Sequence, residues 1–167
     1  MDCNEVEALL FNAAGGPDAI TVNDLSGTGV TQVNLDLANP PTSGAGDILA
    51  DTVTILGSND NDAVTITGTP AGVSVEGLTA TVNIVASDPT FDQLILQLLG
   101  GDDALIAADL QDGVIKLTAD GGPDDDVLVG SAGADILLGG EGDDALSGGP
   151  GLDTLDGGPG DNLLIQD

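Results

Sequence analysis

Histidine, tryptophan and tyrosine are absent from this chain of 167 residues, and one lysine, Lys116, is its only basic residue. Without histidine no Ser–His or Cys–His nucleophile pair can be built, and the commonest general acid–base group is missing, so the chain reads as a non-enzyme. A phosphate-binding surface needs Lys and Arg, so nucleic acid is excluded as a partner. The single cysteine, Cys3, cannot close an internal disulfide, and a secreted chain of this size then needs another staple. No run is long and apolar enough to form a transmembrane segment. Met1-Asp2-Cys3-Asn4-Glu5 has neither the positive charge nor the apolar run of a secretory signal, so the sequence implies either another export route or a piece of a longer protein.

What is present is acid, glycine and aliphatic side chain. The 29 acidic residues give a net charge of −28, which a compact chain cannot carry without a counter-charge. Disorder is the usual outcome of such a charge, but 41% hydrophobic residues supply enough apolar surface for a core. Phe11 and Phe91 are the only aromatics, so that core is Val, Ile, Leu and Ala, small enough to stack in layers. A divalent cation is the natural counter-charge. The length suits one domain.

The C-terminal part divides into five nine-residue units, beginning at Gly121, Gly130, Gly139, Gly148 and Gly157. The sixth position holds Asp126, Asp135, Asp144, Asp153 and then Asn162; the eighth holds Leu128, Leu137, Leu146, Leu155 and Leu164. Six residues of turn and three of strand fit this period, with the leucine pointing inward because side chains alternate along a strand. Two units make one coil. Asp126, Asp144 and Asn162 then form one column and Asp135 with Asp153 another, at a spacing of about 4.8 Å. Two carboxylates that close repel by roughly 3–4 kcal/mol at an effective dielectric of 20. A hard cation lodged between turns converts that repulsion into coordination. Oxygen donors at flexible distances suit calcium better than magnesium, and the lack of histidine argues against zinc or copper.

These units resemble the G-G-x-G-x-D-x-U-x nonapeptide of the RTX family, whose repeats form a calcium-binding parallel β-roll. The third and fourth units fit the pattern fully; Asp124 at a fourth position, Ser131 and Ala132 in the second unit, and Asn162 at the last sixth position depart from it. The resemblance implies several Ca2+ ions held by the side chains of Asp126, Asp135, Asp144 and Asp153, with Asn162 as a neutral substitute. It further implies ligands from the main chain of the glycine turns, at Gly122, Gly133, Gly140, Gly142, Gly149, Gly151, Gly158 and Gly160. It also implies a bacterial protein secreted outside the cell or held at the cell surface, exported unfolded and folding on contact with external calcium.

Upstream, looser copies recur around the Asp-Ala pairs at Asp18, Asp62 and Asp103, each a strand, a turn and a second strand. Gly57 to Thr65 nearly matches the nonapeptide, which makes Asp62 a further candidate ligand; Asp18 and Asp103 have shorter turns and read as plain turn residues. The acidic pairs Asp102-Asp103 and Asp124-Asp125 read as charged turns rather than glycosidase carboxylates, since no substrate-binding aromatics accompany them. Further strands are expected over 6–11, 32–37, 73–78, 81–85, 91–99 and 114–118, with a loop over 39–46. The expectation is an all-β, right-handed parallel β-solenoid forming a single domain over 1–167, degenerate coils over 1–120 and nonapeptide coils over 121–167. Its expected role is that of an extracellular calcium-binding structural module that folds on binding Ca2+. The alternatives are a calcium-stabilised filament subunit or adhesin associating end to end, and a C-terminal appendage of a secreted hydrolase.

Overall fold

The alternation of apolar and polar residues sets the strands. In Thr52–Leu56, Val53 and Ile55 are buried while Thr52, Thr54 and Leu56 are partly exposed, the period of two that a strand with one face on a core requires. The same pattern recurs along a computed structural model that describes residues 7–41, 43–44 and 46–167, and none of those residues is helical. The strands are β1 (Ala8–Asn12), β2 (Ala19–Val22), β3 (Gln32–Asp36), β4 (Thr52–Leu56), β5 (Ala63–Thr69), β6 (Gly72–Glu76), β7 (Thr81–Val85) and β8 (Gln93–Gln97). They continue as β9 (Ala104–Leu110), β10 (Lys116–Pro123), β11 (Val127–Val129), β12 (Ile136–Glu141), β13 (Ala145–Ser147), β14 (Thr154–Asp156) and β15 (Leu163–Ile165). The chain is a parallel β-solenoid, as the sequence pattern implies. Cys3 lies outside the described residues, as do parts of the expected strand at Val6 and of the expected loop at Thr42 and Ala45.

Two sheets face each other. One has nine strands in the order β1-β3-β7-β6-β5-β9-β11-β13-β15, the other six in the order β14-β12-β10-β8-β4-β2. Outside β5, β6 and β7, which all join the nine-stranded sheet, the chain alternates between the two sheets, so that a pair of consecutive strands makes one coil. In-register stacking produces aliphatic columns: Val64, Leu105, Leu128, Leu146 and Leu164 on one side, and Val22, Ile55, Leu96, Ala119, Leu137 and Leu155 on the other. Leu105, Leu128 and Leu137 are fully buried, and each such side chain stabilises the fold by about 1.5–3 kcal/mol.

The expectation of parallel pairing throughout fails at one place. β6 runs antiparallel to both β5 and β7, forming a meander inside the nine-stranded sheet. The reason is connection length. Pro70 and Ala71 alone join β5 to β6, whereas a parallel return needs a crossover of a dozen or more residues. This meander makes the nine-stranded sheet longer than its partner, and all five residues of β1 are exposed. The loop after β3 leaves the solenoid and returns through an antiparallel bridge between Ala38 and Gly46, with a cis peptide at Asn39-Pro40.

Candidate metal centre

Every coil turns twice, and an aspartate stands at most of those turns, one residue before a strand begins. The first edge feeds the nine-stranded sheet and carries Asp62, Asp103, Asp126, Asp144 and Asn162. Each N–H there donates to the side-chain Oδ1 of the next residue in the column: Asp62 to Asp103 (2.7 Å), Asp103 to Asp126 (2.8 Å), Asp126 to Asp144 (2.9 Å) and Asp144 to Asn162 (2.8 Å). The second edge feeds the six-stranded sheet and is built the same way, from Asp18 to Asp51 (2.8 Å), Asp51 to Asp92 (3.0 Å) and Asp135 to Asp153 (3.0 Å). The two columns inferred from the nonapeptide period are therefore present. The first continues upstream of it without a break, and aspartates recur on the second edge beyond a gap between Asp92 and Asp135.

Burial gives these ladders their chemistry. Asp103, Asp126, Asp135 and Asp144 are 1–3% exposed, as are Asp51 and Asp92. The Oδ2 atoms of Asp51, Asp103, Asp126 and Asp144 have no hydrogen-bond partner. A buried carboxylate in that state must take up a proton or meet a cation. Burial, reinforced by the neighbouring carboxylates of Asp103, Asp144 and Asp102, pushes Asp126 up to about 7. Burial likewise raises Asp103 to about 6, with Asp62, Asp102 and Asp124 adding to it. Asp135 is raised as well, mainly by burial.

Glycines five residues before the aspartates show where the second carboxylate oxygen, Oδ2, sits. A methyl group on Gly121 would stand 2.1 Å from Asp126 Oδ2 and 2.7 Å from the Gly139 carbonyl oxygen. On Gly130 it would meet the Gly148 carbonyl at 2.4 Å and Asp135 Oδ2 at 2.8 Å, and on Gly57 the Leu98 carbonyl at 2.6 Å and Asp62 Oδ2 at 2.7 Å. A side-chain oxygen and a carbonyl oxygen from the next coil thus converge on space that only glycine leaves open. Among the described residues no three acidic, cysteine or histidine side chains converge to hold a metal, so an ion on these edges draws part of its shell from main-chain carbonyls. All-oxygen donors of this kind fit a hard cation such as calcium.

The other glycines named from the sequence line the same turns. The carbonyls of Gly122, Gly133, Gly140 and Gly142 face the Cα of the glycine stacked on each of them, Gly140, Gly151, Gly158 and Gly160 respectively. Gly149 sits likewise on the Ser131 carbonyl. Left-handed backbone angles occur at Gly122, Gly140, Gly142, Gly149, Gly151, Gly158 and Gly160 but not at Gly133. The carbonyls that meet the same glycine space as the carboxylates, those of Gly139, Gly148 and Leu98, were not singled out by the sequence pattern.

Other residues differ from expectation too. Asp103, read as a plain turn, is buried in the first-edge ladder between Asp62 and Asp126. Asp18, which its sequence context groups with Asp62 and Asp103, lies on the opposite edge, because its turn follows a strand of the nine-stranded sheet whereas theirs follow strands of the six-stranded one. The acidic pairs form a second ladder, outside the first and of opposite polarity. Asp102 donates to Asn61 Oδ1 (3.2 Å), Asp125 to Asp102 (3.4 Å), Asp143 to Asp125 (2.8 Å) and Asp161 to Asp143 (2.8 Å). The signal for it was the recurrence of two adjacent Asp or Asn residues. Asp51 and Asp92 were missed because their turns lack the glycine pattern.

Residues 120–155 and 138–165 match the family model of the RTX calcium-binding nonapeptide repeat (4 copies). No curated protein and no solved structure matches the chain. The matched segment is similar to a repeat that binds calcium and forms a β-roll, and it coincides with strands β10 to β15 of the two stacked sheets.

Proposed function

Because residues 120–165 carry the RTX repeat, we propose that the chain is an extracellular, structural calcium-binding module that folds on binding the ion. The observation that carries this reading is the run of Asp103, Asp126 and Asp144, three successive turns whose Oδ2 atoms are buried without a partner. Ligands on the first edge are Asp62, Asp103, Asp126 and Asp144, with Asn162 at its end; on the second they are Asp135 and Asp153. Main-chain carbonyls of the stacked glycine turns complete the shells. Calcium supplies the positive charge that lets these carboxylates stay ionised while buried.

An ion that binds only the folded chain stabilises it by mass action, and the chain stays open where calcium is scarce. Extracellular calcium modules work at about 10⁻⁴–10⁻³ M. RTX repeats occur in secreted bacterial proteins, which supports a setting outside a bacterial cell. Far-UV circular dichroism through a calcium titration at pH 8 tests the proposal. The expected result is little β-signal in chelator and a cooperative gain in that concentration range. Full β-structure in excess chelator, unchanged by calcium, overturns it.

A second reading, association with further copies, is favoured by β1, where Leu9, Leu10 and Phe11 are 43%, 72% and 48% exposed on the outermost strand of its sheet. Sedimentation velocity in calcium over a hundredfold range of concentration checks it; a monomer throughout removes it.

A further inference from the structure

Asp51 lies some seventy residues before the matched repeats, in an arc with no nonapeptide pattern, yet it has the same construction as Asp126. It is 1% exposed. Its Oδ1 accepts the N–H of Asp18 at 2.8 Å, as Asp126 Oδ1 accepts that of Asp103. Its Oδ2 is buried and has no partner. Among the described second-edge residues Asp51 is alone in this. Asp92 Oδ1 and Oδ2 take the N–H groups of Asp51 and Asp88, and both oxygens of Asp135 are held by Ser131. Gly46 stands five residues before Asp51, as Gly121 stands five before Asp126, although its nearest neighbours are Asp88 and Ala86 rather than the carboxylate of Asp51. A methyl group on Gly46 would lie 3.1 Å from the Ala86 carbonyl oxygen, so the next arc is pressed against this one.

The surroundings are anionic. The carboxylates of Asp92, Asp47 and Asp18 all act on Asp51, and Asp88 and Asp47 act on Asp92. Lys116, the one basic side chain, donates its Nζ proton to the Thr90 carbonyl. Asp47 is held in place by accepting from Gly16 N–H at 3.3 Å and Leu49 N–H at 2.9 Å.

We propose that Asp51 is a ligand of a divalent cation bound on the second edge, where the arc from Gly46 to Asp51 packs on the arc from Ala86 to Asp92, with Asp47 as the accompanying carboxylate. The site takes a hard cation, calcium in an extracellular setting, because every donor within the arcs is oxygen. It rests on the same cation chemistry as the calcium reading above but on none of its residues. Burial raises the carboxyl of Asp51, with the neighbouring carboxylates adding to it, as expected of a group that binds a cation in place of a proton.

The test follows backbone amides of the full chain by ¹H–¹⁵N NMR during calcium addition, with total bound calcium counted after equilibrium dialysis. In the unmodified chain the amides of Gly16, Asp18 and Asp51 should respond to calcium together with those of Asp126 and Asp144. Asp51→Asn should lower the count by one ion and abolish the first group of responses while leaving the second. Trace Mn2+ added to the unmodified chain should broaden the Asp18 and Asp51 amides, a readout that stands even where the variant does not fold. An unchanged ion count in Asp51→Asn, or calcium and Mn2+ responses confined to residues 120–165, overturns this site and leaves the repeat reading intact. Absence of calcium binding anywhere in the chain overturns both.

Discussion

The two edges of the solenoid are made from the same residue types and behave as different devices. On the first edge the aspartate ladder runs unbroken from Asp62 to Asn162, passing from the degenerate coils into the regular ones. On the second edge it stops after Asp92 and restarts at Asp135. The coil between carries Val114 and Ile115, both buried, and strand β10 pairs so that Ile115 is level with Asp92 and Leu117 with Asp135. The first edge therefore accumulates buried, unpartnered carboxylate over three consecutive turns. The second carries it at Asp51 alone and elsewhere satisfies its carboxylates from within the protein.

The stacking of the turns is the strongest way to break that contrast. Gly140 has a φ of 120°, and a methyl group on it would stand 1.7 Å from the Gly122 carbonyl oxygen. Gly140→Ala should destabilise the calcium-loaded chain by about 3 kcal/mol or more, from backbone strain together with overpacking. Gly133 has no left-handed angle, and its methyl would find its nearest neighbour at 3.4 Å. Gly133→Ala should shift denaturant unfolding by less than about 1 kcal/mol. Equal effects of the two would show that close glycine stacking does not distinguish the turns.

A smaller effect, but one that changes sign, comes from the carboxylates. In saturating calcium, Asp126→Asn should destabilise the chain by about 1–3 kcal/mol through loss of a charged ligand. In chelator at pH 8 the same substitution should stabilise it, since it removes a buried charge that nothing compensates. The unsubstituted chain in chelator carries the matching pH dependence. Asp126 and Asp103 have folded-state values of about 7 and 6, above the ordinary 3.8. Their contribution to stability is therefore fully present below about pH 4 and is lost as pH rises through 6 and 7. β-structure without calcium should accordingly grow on acidification from pH 8, a trend that Asp126→Asn flattens. Circular dichroism across pH in chelator reads both; a flat profile in the unsubstituted chain contradicts the buried-charge account.

The smallest effect sharpens the second edge. Ser131 Oγ donates to Asp135 Oδ1 at 2.9 Å and accepts the Gly133 N–H at 3.0 Å. Ser131→Gly restores the nonapeptide residue and removes both bonds. It should lower stability in chelator by about 0.5–1.5 kcal/mol and increase the gain on adding calcium, making this turn behave like those of the first edge. Thermal melts with and without calcium check it.

How much of this was legible in sequence depended on the strictness of the local pattern. The five units from Gly121 onward yielded the turn, the inward leucines and the two aspartate columns, because a nine-residue period leaves one way to alternate turn and strand. Strand β7 was read at its observed bounds and β3 nearly so, from alternation alone. Asp103 was misjudged, since its turn is short and its partners, Asp62 and Asp126, stand 41 and 23 residues away. Asp51 and Asp92 were not considered, because their arcs share no residue pattern with the repeats. Asp18 was grouped with residues of the opposite edge, as a local likeness carries no record of which sheet a strand joins.

Composition and periodicity by themselves determined that the chain makes strands rather than helices, builds an aliphatic core and presents acid at its turns. Those properties follow from side-chain alternation and from charge, which are local or additive. Only the tertiary structure decided which aspartates stack, which edge is continuous, and where a strand reverses to insert β6. Each of these depends on register between segments tens of residues apart, and a one-residue change of register in β10 would move Asp120 from the outer to the core face. The free Oδ2 atoms are likewise a tertiary property, since a carboxylate lacks a partner only once its neighbours in space are known.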